Sequence, residues 1–205
     1  MIAGPPPIEA PPRMSDALLF LKKFLRHGTK IASLAPSSPW LSRATVSNVD
    51  WAHTGVVVEL GAGTGPITKV IAEKARPETR VIVLERDPDF SKLLRERYAA
   101  LPNFDVIEGD ALDLAAMLRD RGIERVDHIV SGLPVPSFPK DLRRDFFRVV
   151  RDVLAPGGGY NQITELALVY MPLYKRYFDH VRFVFEPRNF PPAGAYHCRG
   201  IKDPG

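Results

Sequence analysis

Cysteine is nearly absent from this chain of 205 residues, and because Cys198 is the only one, no disulfide can form within the chain. The histidines show no spacing that pairs them with a second cysteine, so no metal site is expected, and the adjacent His197 and Cys198 are interpreted as strand residues. No apolar run approaches the roughly 18 to 20 residues of a membrane-spanning helix, and the proline-rich start lacks the apolar segment of a signal peptide. These absences favour one cytoplasmic domain.

Positive charge exceeds negative charge modestly, with 28 Lys and Arg against 24 Asp and Glu and a net charge of +4. This surplus suits an anionic partner, either nucleic acid or a membrane surface, and does not choose between them. Residues 1–13 contain five prolines and are expected to form a disordered tail.

Residues 14–48 are predicted to form an amphipathic helix followed by a lid. Leu and Phe side chains, among them Phe20 and Phe24, recur at helical spacing, and the polar side carries cations: Lys22, Lys23 and Arg26. This pattern fits a helix lying in the plane of an anionic membrane, and it fits equally a helix packed on the domain with solvated lysines. Further along, Ser38 could cover a ligand or cap a helix.

The segment 56–65, VVVELGAGTG, contains the most informative motif of the chain. A short apolar run, typical of a buried strand, leads directly into Gly61, Gly63 and Gly65. Glycines let the backbone approach a ligand closely, and Pro66 suits the first turn of a following helix. Because proline stands where the fingerprint G-x-G-x-x-G needs its last glycine, a dinucleotide site is not predicted.

The form E-x-G-x-G-x-G, which begins at Glu59, resembles motif I of the class I methyltransferases that use S-adenosylmethionine. In that family the glycine loop passes under the ribose and methionine parts of the cofactor. The second predicted strand ends at Glu85, 24 residues after Gly61 and just before Arg86. An acid at this place can accept hydrogen bonds from both ribose hydroxyls. The resemblance therefore implies S-adenosylmethionine as the cofactor.

Two further loops follow predicted strands in the order that this family shows. Gly109, Asp110 and Ala111 follow the third strand, where the family uses a polar side chain to accept from the adenine amino group. Ser131 ends the fourth strand, at the side where open α/β sheets place their chemistry. The resemblance implies an α/β, Rossmann-like fold over residues 49–205, with helices on both faces of a seven-stranded, mostly parallel sheet whose last strand is antiparallel.

The substrate is indicated by the loop after strand four and by the C-terminal segment. That loop reads SGLP, whereas methylation of an adenine amino group needs Asn or Asp followed by Pro-Pro and an aromatic residue. Ribosomal RNA adenine dimethyltransferases share a similar glycine loop, and an RNA-binding protein of this type is the alternative. Together with SGLPVPSFP and EPRNFPPAGAY, the cofactor motifs resemble the bacterial phospholipid N-methyltransferases over about residues 16–200.

This resemblance implies three successive methylations of phosphatidylethanolamine to phosphatidylcholine. The expected partners are this lipid, its methylated forms and an anionic membrane surface, with no nucleic acid and no metal. The expected location is the inner face of the cytoplasmic membrane, to which the enzyme would bind peripherally.

The chemistry calls for a group that releases a proton from the lipid amine, which is protonated near pH 7. Tyr177 and His180 are three residues apart and are predicted to share one face of a helix over residues 173–178 and its continuation, with Tyr196 as the next candidate. A quaternary ammonium product cannot donate a hydrogen bond, so aromatic faces suit it.

The remaining substrate contacts are assigned by residue type. Tyr170 and Tyr174 are predicted to bind the amine, and Arg176, Arg182 or Arg188 is predicted to bind the lipid phosphate. Each tyrosine could instead belong to the core.

Overall fold

A computed structural model describes residues 37–164 and 169–203. The elements follow one another as α1 (Pro39–Thr45), β1 (Val56–Leu60), α2 (Pro66–Lys74), β2 (Arg80–Glu85), α3 (Pro88–Tyr98), β3 (Phe104–Glu108), α4 (Leu114–Arg119), β4 (Val126–Ser131), α5 (Lys140–Val153), β5 (Leu154–Thr164), α6 (Met171–Tyr177), β6 (Phe178–Glu186) and β7 (Ala193–Ile201). Short 3-10 turns occupy Ala111–Asp113 and Val135–Ser137. Across these described ranges, no helix is both long enough and apolar enough to span a bilayer.

The seven strands form one sheet in the order β3-β2-β1-β4-β5-β7-β6, which confirms the predicted architecture. Strand β7 is antiparallel to both of its neighbours, and the other strands share one direction. The ends of the first five strands therefore meet at one side of the sheet, which we call the carboxyl edge: Leu60, Glu85, Glu108, Ser131 and Thr164. Strand β6 also ends there, and β7 begins there.

Helices cover both faces of the sheet, which explains why its parallel strands are nearly continuous apolar runs. On one face, Val57 and Val83 of the strands pack with Ile71 of α2 and Leu94 of α3. On the other face the core is aromatic, and its centre is Phe147 of α5. The rings that contact Phe147 come from α5, β5, α6 and β6: Phe146, Tyr160, Tyr174, Tyr177 and Phe178.

Helix α1 is fixed to the first of these faces by polar side chains of the sheet. The Asn161 amide of β5 donates to the Thr45 carbonyl and to Asn48 Oδ1, both at 2.7 Å. His197 Nε2 of β7 donates to the Ala44 carbonyl at 3.0 Å. Helix α1 is thereby held beside the strands that carry the candidate substrate residues.

The predicted disordered tail, residues 1–13, and the predicted amphipathic helix after it lie outside the described residues. Of the segment 14–48, the structure describes residues 37–48, which include α1. The candidate membrane residues of that helix therefore lie outside as well: Phe20, Lys22, Lys23, Phe24 and Arg26.

Candidate cofactor and active site

The glycine loop leaves β1 at the carboxyl edge with a left-handed backbone at three positions. Gly61, Gly63 and Gly65 have φ values of 70°, 56° and 84°. A Cβ added to Gly61 would lie 2.6 Å from Leu133 Cδ2, and one added to Gly65 would lie 2.7 Å from Leu94 Cδ2. A Cβ on Gly63 would meet nothing within 4 Å. The left-handed backbone favours glycine at all three positions, and at the outer two a Cβ would also displace a leucine side chain, whereas Gly63 borders open space in which a ligand can lie against the backbone.

Glu85 connects this loop to the end of β2. One of its carboxylate oxygens accepts from the Gly63 N–H at 2.7 Å, and the other accepts from the Asp87 N–H at 2.8 Å. A carboxylate oxygen can accept more than one hydrogen bond, so these contacts leave capacity for a ligand hydroxyl. The structure thus places Glu85 beside Gly63, as the ribose-binding role predicts.

Asp110 lies in the next loop along the carboxyl edge. Its Oδ1 accepts from the Leu112 N–H at 3.0 Å, while Oδ2 is buried and makes no hydrogen bond within the described part of the chain. Arg86 Nη1 lies 3.5 Å from Oδ2 and is likewise buried without a hydrogen bond there. A buried acceptor without a donor is costly, and an amino group of a ligand would satisfy it.

The residues on either side of Asp110 shape this loop. The Gly109 N–H donates to the Glu85 carbonyl at 3.1 Å, which joins the ends of β2 and β3. A Cβ on Gly109 would collide with the end of the Met117 side chain of α4, so the loop lies against that side chain. Ala111 begins the 3-10 turn that Asp110 caps.

Glu59 lies in β1 and is only 1% exposed. Neither carboxylate oxygen of Glu59 makes a hydrogen bond of acceptable geometry to the described residues. Thr68 lies nearby and lowers the pKa of Glu59, against the larger effect of burial. Burial raises the pKa of Glu59 to about 8, and the neighbouring charge of Glu85 adds to the rise. A cationic ligand near this carboxyl would favour its ionised form. The donors and acceptors of this loop therefore fit S-adenosylmethionine, which carries hydroxyls, an amino group and positive charge.

The loop after β4 packs on the glycine loop. The Gly132 N–H donates to the Leu60 carbonyl at 2.8 Å, and Ser131 Oγ accepts from the Leu133 N–H at 3.3 Å. The Gln162 amide of β5 donates to the carbonyls of Ser131 and Leu133 at 3.2 and 2.8 Å. Gln162 was not predicted as a site residue. Its signal in the sequence is a polar pair, NQ, inside a strand at the end that reaches the carboxyl edge.

Three tyrosines meet near Gln162, on the aromatic face of the sheet. Tyr196 of β7 lies opposite Gln162, and its hydroxyl accepts from the Tyr170 N–H at 3.2 Å. The rings of Tyr196 and Tyr174 lie 4.7 Å apart. Burial raises the pKa of Tyr174 well above its usual range, so this phenol stays protonated at neutral pH. Tyr174 and Tyr196 are fully buried, whereas Tyr170 is partly exposed, and we call Tyr170, Tyr174 and Tyr196 the tyrosine cluster.

The predicted pairing of Tyr177 with His180 on one helical face is wrong. Helix α6 ends at Tyr177, and His180 is an exposed residue of β6, opposite Arg199 of β7. His180 lies three positions before Phe183 along β6, a distance of about 10 Å, and Phe183 is the residue that pairs with Tyr196. His180 therefore lies toward the edge of the sheet opposite the glycine loop.

Tyr177 belongs to the aromatic core. Its ring stacks on Phe147 with centroids 4.1 Å apart, and its carbonyl accepts from the Lys202 N–H, just past the end of β7. Helix α6 runs from the carboxyl edge at Tyr170 to the opposite edge at Tyr177, so only its first turn faces the cofactor loops. A packing role explains the burial of Tyr177.

Ser38 and Arg188 come close together where α1 begins. Ser38 Oγ caps α1 by accepting from the Leu41 N–H at 3.2 Å, as the capping interpretation predicted, and the Ser38 N–H donates to Asn189 Oδ1 at 2.9 Å. The Arg188 guanidinium donates to both oxygens of Glu186, at 2.7 and 2.8 Å. The Glu186 carboxylate compensates its charge, the Arg188 side chain is 61% exposed, and binding of the lipid phosphate by Arg188 stays a prediction.

Comparisons with known proteins agree with this geometry. The model of a methyltransferase domain family matches residues 57–158, which include the glycine loop, Glu85 and Asp110. The ornithine lipid N-methyltransferase of Singulisphaera acidiphila is 68% identical over 190 residues, which cover 93% of this chain and 99% of that protein.

Two other similarities are more limited. A probable ribosomal RNA small subunit methyltransferase A of Methanosarcina barkeri is 32% identical over 115 residues, which cover 56% of this chain and 36% of that protein. The crystal structure of an O-methyltransferase from Bacillus cereus in complex with SAH has a TM-score of 0.64 at 16% identity, covering 89% of this chain and 90% of that one. At this identity, the structural similarity concerns the fold alone.

Proposed function

This chain belongs to the class I S-adenosylmethionine-dependent methyltransferases, and we propose that it methylates the primary amine of an ornithine lipid at a membrane surface. The observation that supports this substrate is the 68% identity to an ornithine lipid N-methyltransferase over 99% of its length. The tyrosine cluster beside the cofactor loops is suited to an amine that becomes a quaternary ammonium.

The cofactor supplies an electrophilic methyl group on a sulfonium. The backbone of Gly63, the carboxylate of Glu85 and Asp110 Oδ2, which makes no hydrogen bond within the described residues, would hold it. None of these groups has to change its covalent state, because their task is to bind and orient. Alignment of the amine with the methyl group then contributes much of the rate.

The amine must lose a proton before it can attack. Tyr174 is a poor base because its phenol stays protonated, and its hydroxyl is buried without a hydrogen bond within the described ranges. An amine that enters this apolar, aromatic surrounding is desolvated, which lowers its own pKa and releases the proton to water. The tyrosine cluster would then hold the neutral amine through its hydroxyls and the methylated cation through its ring faces.

Phosphatidylethanolamine is the second candidate substrate, supported by the motifs SGLPVPSFP and EPRNFPPAGAY, which resemble those of phospholipid N-methyltransferases. Both lipids present a primary amine beside an anionic group. In either case the acyl chains stay in the bilayer, so we place the enzyme at the inner surface of the cytoplasmic membrane. Methylation of ribosomal RNA is less well supported, because the loop after β4 lacks the acceptors that activate an adenine amino group.

The test is a direct comparison of acceptors. Purified protein is incubated with labelled S-adenosylmethionine and with vesicles that contain either an ornithine lipid or phosphatidylethanolamine, and the lipids are separated and counted. We expect label in ornithine lipid, in species with up to three methyl groups. Label in phosphatidylethanolamine alone would favour the second substrate, and label in neither lipid but in ribosomal RNA would refute the proposal.

A further inference from the structure

Large apolar side chains are exposed at one side of the molecule. Of the five that are exposed among the described residues, only Leu93 lies away from this side, on α3. The other four lie where α1 and α6 begin and where β6 turns into β7: Trp40, Val169, Phe185 and Phe190. All of these places belong to the carboxyl edge. We call this set of four the edge patch.

The tip of the edge patch is the turn between β6 and β7. Phe190 is 87% exposed, although the turn around it is fully organised. The Asn189 amide donates to the Pro191 carbonyl at 2.7 Å, and its Oδ1 accepts from the Ser38 N–H. The Arg188 and Glu186 pair closes the other side of the turn. These bonds hold a phenylalanine out in solvent, where it contributes nothing to the core.

Trp40 stands next to this turn, on the first turn of α1. The Arg188 guanidinium carbon lies 5.5 Å from the centre of the Trp40 ring, a cation–π contact between α1 and the turn. Phe185 projects from the opposite face of β6, because it alternates with Glu186 and shares the face of Phe183. The patch therefore surrounds the end of the sheet from both faces. Tryptophan and arginine beside exposed phenylalanine are typical of the boundary between lipid headgroups and acyl chains.

We propose that the edge patch inserts into the lipid bilayer and directs the cofactor cleft toward it. This inference rests on the proposed function, because a lipid substrate keeps its acyl chains in the membrane. The turn and the glycine loop lie at the same edge of the sheet, and β7 is three strand spacings from β1, roughly 14 Å. A headgroup can bridge that distance only if the carboxyl edge faces the bilayer. A protein partner would not explain why the patch includes Val169, the neighbour of Tyr170 in the tyrosine cluster.

The test uses Trp40 as its own reporter. The chain has two tryptophans, and Trp51→Phe leaves Trp40 as the only one. Vesicles are made from phosphatidylglycerol and phosphatidylcholine, with and without bromine on the acyl chains. We expect the Trp40 emission to shift to the blue on binding and to be quenched by brominated chains. Vesicle binding without quenching of Trp40 would overturn the inference.

A matched pair of variants tests the tip of the patch. Phe190→Ser is expected to weaken vesicle affinity about tenfold, as for one phenylalanine ring withdrawn from an apolar surrounding. Leu93→Ser removes the exposed apolar side chain that lies elsewhere and should leave vesicle affinity unchanged. Calorimetric binding of S-adenosylhomocysteine, retained in both variants, checks that they are folded. Equal vesicle affinity of the two variants would refute the proposed insertion.

Two further outcomes separate this inference from the proposed function. Lipid methylation together with an unquenched Trp40 would keep the function and reject the edge patch as the membrane contact. Quenching of Trp40 without methylation of either lipid would keep the membrane contact and reject the function. If sedimentation without vesicles shows a dimer that Phe190→Ser abolishes, the patch binds a second copy of the chain and the inference fails.

Discussion

Replacement of Glu59 by glutamine should change how the stability of this protein depends on pH. Glu59 is fully buried behind the glycine loop, and burial raises its pKa from an ordinary value of 4.5 to about 8. Between these two values the folded protein holds a proton that the unfolded chain has released. The free energy of unfolding therefore falls as the pH rises from 4.5 to 8, and it is level on either side of this window as far as Glu59 is concerned.

The size of the effect follows from the shift in pKa. Each pKa unit corresponds to about 1.4 kcal/mol, so the rise of Glu59 to about 8 corresponds to about 5 kcal/mol. Water penetration reduces such values, because buried sites behave as more polar than a dry protein interior. We expect Glu59→Gln to be more stable than the parent by about 2 to 5 kcal/mol at pH 8.5 and nearly equal to it at pH 5.

The assay is urea unfolding of both proteins without cofactor, followed by circular dichroism between pH 5 and 8.5. His128 acts in the opposite direction: burial lowers its pKa to about 4, so its contribution to stability rises between pH 4 and 6.5. Because His128 is present in both proteins, its effect cancels in the difference between them. Parallel stability profiles for parent and variant would show that Glu59 is not held protonated, and the reasoning from its burial would fail.

Four other variants test the two binding sites and the membrane contact. Gly63→Val should abolish binding of S-adenosylmethionine in calorimetry while the circular dichroism spectrum is retained, because the side chain enters space that only a ligand needs. Tyr196→Phe should lower the rate of lipid methylation with little change in cofactor affinity, whereas His180→Ala should methylate lipid at the parent rate. A lower rate in His180→Ala and an unchanged rate in Tyr196→Phe would instead place the amine site at His180 on β6. Charge reversal in the N-terminal segment should release the protein from anionic vesicles at low salt, by about 1 kcal/mol for each cation, and unchanged vesicle binding would make that segment a packed element. The residues replaced by glutamate are Lys22, Lys23 and Arg26.

The cofactor half of the molecule could be predicted well from the sequence. Strands Val56–Leu60, Arg80–Glu85 and Phe104–Glu108 lie where the sequence predicts strands, because each is short, rich in apolar residues and ends directly at a glycine or an acid. Parallel strands place such ends at one edge of the sheet, so the order of motifs along the chain already indicates a shared site.

The substrate half was harder, and the segment around Tyr177 shows why. The sequence LYKRYFDHVRF carries helical spacing into a strand, and neither glycine nor proline marks the change at Phe178. The helix ends there because Tyr177 and Phe178 both pack on Phe147, a contact made from a distant helix. Strand β6 also lies at the edge of the sheet with several exposed positions, so it lacks the apolar signal of β1 and β2. Helix α4 was not predicted from the sequence, because its six residues are too few to show a helical periodicity.

We expect the substrate to be selected by the part of the chain that follows the methyltransferase domain match. That match ends at residue 158, whereas Gln162, the tyrosine cluster and the edge patch residues of β6 and its turn all come later. Within this part Arg188 is already paired with Glu186 through both carboxylate oxygens. An anionic headgroup gains little from a guanidinium whose charge is compensated, whether that group is a carboxylate or a phosphate. We therefore expect discrimination between the two lipids to depend on how the amine reaches the tyrosine cluster, and hence on the distance from the amine to the acyl chains.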